Sequence, residues 1–338
     1  MKEILEEANW PSVSVLVAAR NEEESIGKCL TALQHQKYPG QLEVWVANDH
    51  SEDKTAEIVE RFCEELPGFQ LVQVPDSDSH VKGKALALGL MARQAKGEIF
   101  LVCDADMEMP EGWIYSMVNE MKTQNVDLIN GTTTTKGESI FSILQGIDWL
   151  LPQGTFAWMS QLNITYTAMG NNMAISRKAY EATGGYLKLP FSLTEDFELF
   201  KHAKEKGFRL IHYFNSSVLG YSEPEKTVSD WLTQHVRWMV GFMQLPFSQQ
   251  WVFYIQLLFY PLFFVTFLFE NSVATGLVQG PFLLKMVYEA VLLAVVGRWK
   301  FIFWLPLYQI VWWPFYMTCF FKFHFSKTIV WKDRVWEK

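Results

Sequence analysis

Two aspartates separated by a single residue, Asp104 and Asp106, follow a short apolar run and are the first candidates for chemistry. Side chains alternate in extended chain, so both carboxylates can face one point. Paired oxygen donors suit Mg²⁺ or Mn²⁺, and a cation held there could neutralise a diphosphate as a bond to it breaks. A solvated turn after a strand would contain the same residues, and the triplet alone leaves both interpretations open.

Two further acidic positions could take part in the same chemistry. Asp49 lies in the run NDHSEDKT, where it could accept hydrogen bonds from a base or ribose while a neighbouring serine or aspartate caps the next helix. Thr194 is a good cap for an amphipathic stretch that opens with Glu195 and Asp196, because acids suit the first turn of a helix. One of these carboxylates could instead take the proton of an attacking hydroxyl. Asp196 is the preferred base and Glu195 the alternative.

Basic and amide side chains could bind a phosphate. Lys84 follows a glycine that allows close approach of the backbone, but the spacing is not that of a P-loop, and a solvated turn is an equal alternative. In the run QHVRW, Gln234 and Arg237 are three apart and would share a helix face. Arg237 could bind phosphate oxygens in a bidentate manner, and Trp238 offers a flat surface to a sugar or lipid. An amphipathic helix at a membrane interface would use the same residues as anchors.

Alternating strands and helices would bring these segments together. Apolar runs predict strands over Val13–Ala18, Leu42–Ala47, Phe69–Val74 and Ile99–Cys103. Helices are predicted between them, over Ile26–Leu33, from Thr55, and over Lys84–Arg93. This pattern indicates an α/β fold with a parallel sheet covered on both faces. Because ligands bind at the carboxyl ends of such strands, we expect Ala18–Glu22, Asp49 and the two aspartates to lie at one edge.

Composition limits the class of protein. The net charge of −8 argues against a nucleic-acid-binding face, and the four cysteines show no CxxC pair or metal-ligand spacing, which is typical of a reducing compartment. The N-terminal run MKEILEEANW is acidic and too short of apolar residues for a secretory signal, so we expect a cytoplasmic domain over residues 1–250. Residues 251–321 are dominated by Phe, Leu, Trp, Tyr and Val, and a basic tail, 322–338, follows.

The apolar region is predicted to form two to three membrane helices. Trp251–Phe269 is long enough to cross a hydrocarbon core of about 30 Å, and Phe301–Phe321 is a second candidate, interrupted by two prolines. Gly276–Gly297 is the weaker candidate because it carries Lys285 and Glu289, although these are four apart and could pair. Buried core helices are the alternative. Charges flanking the segments conflict over which side of the membrane the tail lies on.

Taken in order, Asp49, Asp104-Ala105-Asp106, Glu195-Asp196 and QHVRW resemble the Q/RxxRW branch of the family 2 glycosyltransferases, which contains processive and lipid-linked enzymes. The stretch GNNMAISRKAYEATGGY (Gly170–Tyr186) is also similar to that family. The resemblance implies a GT-A fold followed by membrane helices. It also implies an inverting, metal-dependent transfer from a nucleotide-sugar, with UDP the family's usual nucleotide and Mg²⁺ or Mn²⁺ as the cofactor.

The resemblance further implies a role for each motif residue. Donor-binding residues would be Ala18, Arg20, Asn21, Glu22, Asp49, Lys84, Asp104, Gln234, Arg237 and Trp238. Asp106 would be the more direct metal ligand and Asp104 the second, with Asp196 as the base. The last three donor-binding residues would close over the diphosphate and acceptor, and Asn171 or Asn172, together with Trp238, would line the acceptor side.

Polymer synthases of this branch usually have membrane helices before the catalytic domain, whereas this chain enters its first strand by about Val13. This favours a single transfer to a lipid-linked acceptor, as in ceramide glucosyltransferases and their bacterial relatives, at the cell inner membrane or another cytoplasm-facing membrane. A polysaccharide synthase subunit is the first alternative, and a catalytically inactive scaffold or nucleotide-sugar sensor is the second. A soluble sugar-nucleotide pyrophosphorylase would not explain residues 251–321.

Overall fold

The computed structural model describes residues 10–76, 81–164, 167–190, 192, 194–245, 247–266, 272–331 and 334–337. Most of the N-terminal run predicted not to be a signal, the end of the predicted Trp251–Phe269 segment and Lys332 of the predicted tail lie outside the described residues. The chain divides into two compact units, Met1–Thr135 with Gln153–Glu223, and Lys136–Pro152 with Pro224–Lys338. The predicted boundary at residue 250 stays a prediction.

Strands and helices alternate through the first unit. In chain order they begin with β1 (Val13–Ala19), α1 (Ile26–Gln34), β2 (Leu42–Asn48), α2 (Thr55–Glu65), β3 (Phe69–Gln73), α3 (Gly83–Gln94), β4 (Ile99–Asp104), β5 (Met107–Glu108), α4 (Trp113–Gln124), β6 (Leu128–Asn130) and β7 (Thr132–Thr135). Helix α5 (Ile140–Gln161) crosses the unit boundary. It is followed by β8 (Asn172–Ser176), α6 (Arg177–Thr183), α7 (Glu195–Glu205), β9 (Leu210–His212) and β10 (Leu219–Ser222). The four predicted strands and three predicted helices are confirmed.

A seven-stranded sheet forms the centre of this unit, in the order β3-β2-β1-β4-β8-β6-β9. Strands β1 to β4 are parallel to one another, and β8 is antiparallel to both β4 and β6. The register places Ala18 between Ala47 on β2 and Asp104 on β4. The mostly parallel α/β sheet is therefore confirmed, and the carboxyl ends of its first strands share one edge.

The core explains why these segments become strands and helices. Val13, Val15 and Val17 on β1 are buried in one cluster with Ile26 and Leu30 of α1. Alternate strand residues fill this face, and residues at helical spacing cover it, as expected for a sheet packed against helices. The apolar residues whose periodicity predicted α1 thus form the face of the helix that packs against the sheet.

A second, smaller sheet was not predicted. It has the order β5-β10-β7, with β10 antiparallel to β5 and parallel to β7. The pairing places Ser222, at the end of β10, opposite Met107, one residue after Asp106. These strands have two to four residues, which is too short for a period-two pattern to stand out in the sequence.

The second unit contains the first part of α5 and a C-terminal group of helices. These are α8 (Val228–Met243), α9 (Phe247–Thr266), α10 (Ser272–Val295) and α11 (Leu305–Phe325), followed by a hairpin of β11 (Thr328–Trp331) and β12 (Arg334–Glu337). A 3₁₀ turn over Trp299–Trp304 precedes α11. The predicted basic tail thus includes the end of α11 and, in its described part, the two hairpin strands.

Among the described residues, one helix is long and apolar enough to cross a membrane, Gly276–Val295 within α10. Only 17% of this apolar stretch is buried, so most of its side chains are exposed rather than packed in a core. The prediction of two or three membrane helices is not confirmed. The segment expected to be the clearest span, Trp251–Phe269, contributes a shorter apolar stretch, Phe253–Thr266, within α9, and its last residues are not described.

The predicted pairing of Lys285 with Glu289 on α10 is confirmed, at 2.5 Å between Nζ and Oε1. Gln309 on α11 completes the group, accepting from Lys285 Nζ at 2.8 Å and donating to Glu289 Oε2 at 2.7 Å. The two charges on α10 are therefore matched and hydrogen-bonded, which makes their burial far less costly than that of lone charges.

The close approach of β1 and β4 predicts the effect of one substitution. Gly97 donates its N–H to Ser14 Oγ at 2.8 Å, and an added Cβ would overlap the backbone nitrogen of Ser14. We expect Gly97→Ala to destabilise the protein by about 1–3 kcal/mol, as overpacking does. Gly27→Ala on α1 is the matched control, because its nearest neighbouring atom would lie at 3.9 Å. Thermal unfolding in detergent would contradict the prediction if both variants melted like the wild type.

Candidate active site

The loops after β1 and β2 are tied to each other at the carboxyl edge of the sheet. Arg20 Nη1 donates to the carbonyl of Asp49 at 3.2 Å. Asn21 has a left-handed backbone, with φ of 52°; its N–H donates to Ser51 Oγ at 3.1 Å and its Oδ1 accepts from the N–H of Glu52 at 2.9 Å. Three residues predicted to bind the donor nucleoside, Arg20, Asn21 and Asp49, are thus brought together.

Glu22 and Asp49 differ in what they contact. The backbone N–H of Glu22 donates to Thr55 Oγ1 at 2.8 Å, and its carboxylate accepts from Ser25 Oγ at 2.7 Å, so this residue ties the first loop to α2 and to the start of α1. Asp49 is 6% exposed, and its Oδ1 lies 3.0 Å from Nδ1 of His50. Asp49 is thus a buried carboxylate after the end of β2, at the position where the sequence predicts an acidic binding residue.

The two aspartates of the DAD run are both partly exposed, and different side chains hold their carboxylates. Asp104 ends β4, and exposure alternates through the turn, with Ala105 buried between two partly exposed aspartates. Asp104 Oδ1 is 2.5 Å from Lys84 Nζ, and Asp106 Oδ2 accepts from Ser222 Oγ at 2.7 Å. One carboxylate is therefore held by a cationic side chain, and the other by a hydroxyl from the small sheet.

Lys84 connects the DAD turn to α7. Its Nζ lies 3.2 Å from Glu195 Oε1 and donates to the carbonyl of Gly170 at 3.4 Å, besides its contact with Asp104. Burial alone would lower the pKa of Lys84, but the carboxylates of Asp104 and Glu195 outweigh it and raise that pKa. Lys84 is predicted to lie near the donor, and the structure shows it as the shared countercharge of acidic groups from two elements.

Asp196 is fixed in the first turn of α7. Its Oδ2 accepts from the backbone N–H of Gly170 at 2.6 Å, and its Oδ1 accepts from the N–H of Phe197 at 2.8 Å. Burial and the Glu195 carboxylate raise the pKa of Asp196 to about 6, although Lys84 and both hydrogen bonds oppose the shift. A held carboxylate that titrates near neutrality is suited to general-base catalysis.

Three features around Asp196 differ from, or were missed by, the sequence interpretation. Thr194 was expected to cap α7, but its side chain makes no capping bond, and its Oγ1 lies 3.2 Å from Ser192 Oγ instead. Gly170 approaches so closely that an added Cβ would lie 3.0 Å from Asp196 Cβ. The hydroxyl of Tyr186 is buried and, within the described part of the chain, has no hydrogen-bond partner. Gly170 and Tyr186 are the first and last residues of the family-like stretch, yet their residue types gave no indication of a role near Asp196.

The two asparagines predicted on the acceptor side have different environments. Asn172 is 1% exposed, and its Oδ1 accepts from Trp113 Nε1 at 2.8 Å. Its Nδ2 donates to the carbonyls of Thr132 and Val218 at 2.9 and 3.0 Å. The Oδ1 of Asn171 is buried and unpartnered among the residues described. The prediction is corrected for Asn172, whose amide is fully used inside the fold, and Asn171 remains the candidate.

The residues of the QHVRW run lie on α8, in the second unit, and the helix predicted there is confirmed. Gln234 Nε2 donates to Glu225 Oε1 at 2.7 Å, while its own Oε1 is buried with no partner in the described residues. Trp238 packs edge-on against Trp149 at a centroid distance of 5.0 Å. Arg237 is partly exposed on the same helix, one turn from Gln234.

A mostly parallel sheet with acidic side chains at its carboxyl edge defines an α/β fold of the GT-A type. Residues 14–184, about half of the chain, match the family described as glycosyl transferase family 2, and the chain belongs to this family. A mannosyltransferase, PcManGT from Pyrobaculum calidifontis, solved in complex with GDP-Man and Mn²⁺, has a similar fold. Its TM-score is 0.61 at 20% identity, over 95% of this chain and 89% of that one.

Curated relatives are similar over part of their length. The probable glycosyltransferase YdaM of Bacillus subtilis is 31% identical over 240 residues, covering 68% of this chain and 55% of YdaM. A beta-monoglucosyldiacylglycerol synthase of Synechocystis is 28% identical over 197 residues, covering 56% of this chain and 40% of that protein. The chain thus spans about half the length of these relatives, or less.

The contrast between the two asparagines predicts a difference in stability. We expect Asn172→Ala to destabilise the protein by about 2–4 kcal/mol, because it leaves the Trp113 N–H and two buried carbonyls without partners. Asn171→Ala, the neighbouring control, removes an oxygen that makes no bond in the described structure and should change stability little. Apparent melting temperatures in detergent test this, and equal values for the two variants would contradict it.

Proposed function

We propose that this protein transfers a sugar from a nucleotide-sugar donor to an acceptor hydroxyl by an inverting displacement, with Asp196 as the base. Such a transfer needs a group that accepts the proton of the hydroxyl, and positive charge where the diphosphate departs. The single observation that carries the proposal is Asp196, held by two backbone N–H groups and with its pKa raised to about 6, inside a family 2 glycosyltransferase domain. Glu195, bonded to Lys84, is the alternative base.

Binding of the donor is proposed at the carboxyl edge of the sheet. Ala18, Arg20, Asn21, Glu22 and Asp49 would surround the nucleoside, and the cross-tied loops after β1 and β2 support this assignment. The nucleotide is proposed to be UDP, on the resemblance of the motifs. The P. calidifontis mannosyltransferase was solved with GDP-Man, so a guanine donor belongs in the same test.

A divalent cation fits the DAD turn. Mg²⁺ is commonly bound through one or two carboxylates plus substrate phosphates, and Asp106 and Asp104 are two partly exposed carboxylates one residue apart. No group of three acidic, His or Cys ligands that could hold a metal by itself occurs in the described part of the structure, which fits a site completed by the diphosphate. When bound, Mg²⁺ or Mn²⁺ would neutralise the charge that develops on the leaving diphosphate. Lys84 would keep Asp104 in place.

The acceptor is proposed to be lipid-linked and the protein to act at a cytoplasm-facing membrane. Helix α10, with its exposed apolar window, supports attachment to a membrane, and the beta-monoglucosyldiacylglycerol synthases among the similar proteins support a lipid acceptor. Gln234 and Arg237 are proposed to bind the diphosphate, and Trp238 and Asn171 the acceptor. These four roles rest on the family motif and on the types of the side chains.

The role of Asp196 predicts a clear kinetic result. Membranes containing the protein would be incubated with labelled UDP-glucose, UDP-N-acetylglucosamine and GDP-mannose, and lipid products separated from polymer. We expect Asp196→Asn to lower the rate of transfer at least about 10²-fold, because the base is lost, while donor binding by calorimetry is retained. Asp127→Asn, which keeps an oxygen for Ser176, is the control. Normal turnover by Asp196→Asn would exclude it as the base, and a ladder of oligomers would indicate a synthase.

The pKa of Asp196 predicts the pH dependence. The base must be ionised, so kcat/KM should fall as the pH drops below about 6 and reach a plateau above it. Since the ammonium of Lys84 lowers this pKa, Lys84→Gln should move the acidic limb to higher pH. Lys82→Gln, which removes an exposed lysine two residues away, is the matched control and should leave the limb in place. An unmoved or lowered limb in Lys84→Gln would contradict the electrostatic account.

A further inference from the structure

A buried acid–base pair lies in the second unit, apart from the roles proposed so far. Asp148 on α5 and His235 on α8 are joined at 2.7 Å between Oδ2 and Nε2, with side chains 2% and 4% exposed. His235 is the second residue of QHVRW, between Gln234 and Arg237. Burying a charged pair is costly unless its remaining polar atoms are also bonded, so its surroundings determine what the pair does.

Both nitrogens of the His235 ring face acceptors. Nδ1 lies 3.0 Å from the carbonyl oxygen of Trp231, and Nε2 faces the carboxylate of Asp148. A backbone carbonyl cannot donate, so Nδ1 carries a proton, and an ionised Asp148 would require a second proton on Nε2. The other carboxylate oxygen, Oδ1 of Asp148, accepts from the hydroxyls of Tyr308 and Tyr316 on α11, at 2.8 and 3.0 Å. All polar atoms of the pair are therefore bonded, as a buried imidazolium–carboxylate pair requires.

The pair joins three helices at one point. Asp148 belongs to α5, His235 to α8 and the two tyrosines to α11, and the His235 ring also packs edge-on against Phe315 of α11 at 5.0 Å. Residues on a helix are separated by about 100° around its axis. Gln234, Arg237 and Trp238 therefore lie to one side of His235, within about 60–160° of it, and any rotation of α8 redirects all three.

We propose that the Asp148–His235 ion pair is a positioning device that fixes the rotation of α8 and so the directions of Gln234, Arg237 and Trp238. The inference rests on the proposed function, in which those three residues bind the diphosphate and the acceptor. Asp148 and His235 act through them and touch no substrate. Misplacement of groups that stabilise a transition state by about 1 Å can lower rates about 100-fold, so the device would influence kcat more than donor affinity.

The test is a double-mutant cycle in the full-length protein in detergent. Asp148→Asn keeps the shape of its side chain, His235→Gln replaces the ring with an uncharged amide, and both remove the ion pair. We expect each to lower kcat about 10- to 100-fold and to raise the donor dissociation constant by a smaller factor. The double variant should be no slower than the slower single variant, because the two residues act as one unit. His235→Arg, which can still pair with Asp148, should recover part of kcat.

A matched variant separates positioning from simple loss of stability. Glu289→Gln breaks another ion pair of the second unit, with a carboxylate side chain that is 7% exposed. It should lower the melting temperature comparably while kcat per folded molecule stays near the wild-type value. If Asp148→Asn and His235→Gln behave in the same way, the pair is only structural and the proposal is overturned. Additive losses in the double variant would also overturn it.

A measurement that does not depend on activity distinguishes this inference from the proposed function. In protein labelled with ¹⁵N-histidine, His235, assigned through the His235→Gln variant, should show two protonated ring nitrogens, and Asp148→Asn should abolish that signature. A neutral tautomer in the wild type would overturn the ion pair, whether or not transfer is observed. If the signature is present but the wild type transfers no sugar from any donor, the proposed function fails and with it the positioning role, while the ion pair stands.

Discussion

One partly buried ammonium, that of Lys84, governs the electrostatics of the candidate site. It lies within 3.2 Å of carboxylate oxygens from the end of β4 and from the start of α7, segments about ninety residues apart in the chain. Without it, Asp104, Glu195 and Asp196 would place like charges near one another in surroundings poor in water. With it, Asp104 and Glu195 share a countercharge, and Asp196 keeps a pKa of about 6 instead of a higher one. Because Lys84 compensates only part of the negative charge, the carboxylate of Asp196 can both bind and release a proton near neutral pH.

The polar residues at the edge of the sheet could be predicted from the sequence because each of them directly follows or ends its strand in the chain. Each of the first strands is a short apolar run, and the polar residue that follows it can be read directly, as with Asp49 after β2 and Asp104 at the end of β4. Parallel pairing then brings those ends together without further information. The same holds for α8, where spacing within one helix put Gln234 and Arg237 one turn apart.

What could not be predicted depends on contacts between distant segments. Ser222 reaches Asp106 across 116 residues, through a small sheet whose strands are too short to recognise. Asn171 and Asn172 are identical in type and adjacent, and only the path of β8 decides that one amide is consumed by Trp113 and two backbone carbonyls. Likewise, the membrane prediction ranked Gly276–Gly297 weakest because it carries Lys285 and Glu289, whereas in the described residues only Gly276–Val295 has the length and apolar character required.

Asp148 and Asp196 are held in opposite ways, and the difference distinguishes the proposed positioning role from the proposed catalytic one. Asp148 has three donors, including His235, for its two oxygens and is nearly inaccessible to water, so neither its charge nor its place can change without cost. Asp196 is partly exposed, with two backbone donors and only a shared cation in its vicinity, so its protonation can change while its place is kept. A base must exchange a proton in every turnover, whereas a residue that orients a helix must never do so. The degree of charge compensation around each carboxylate therefore indicates which task it can perform.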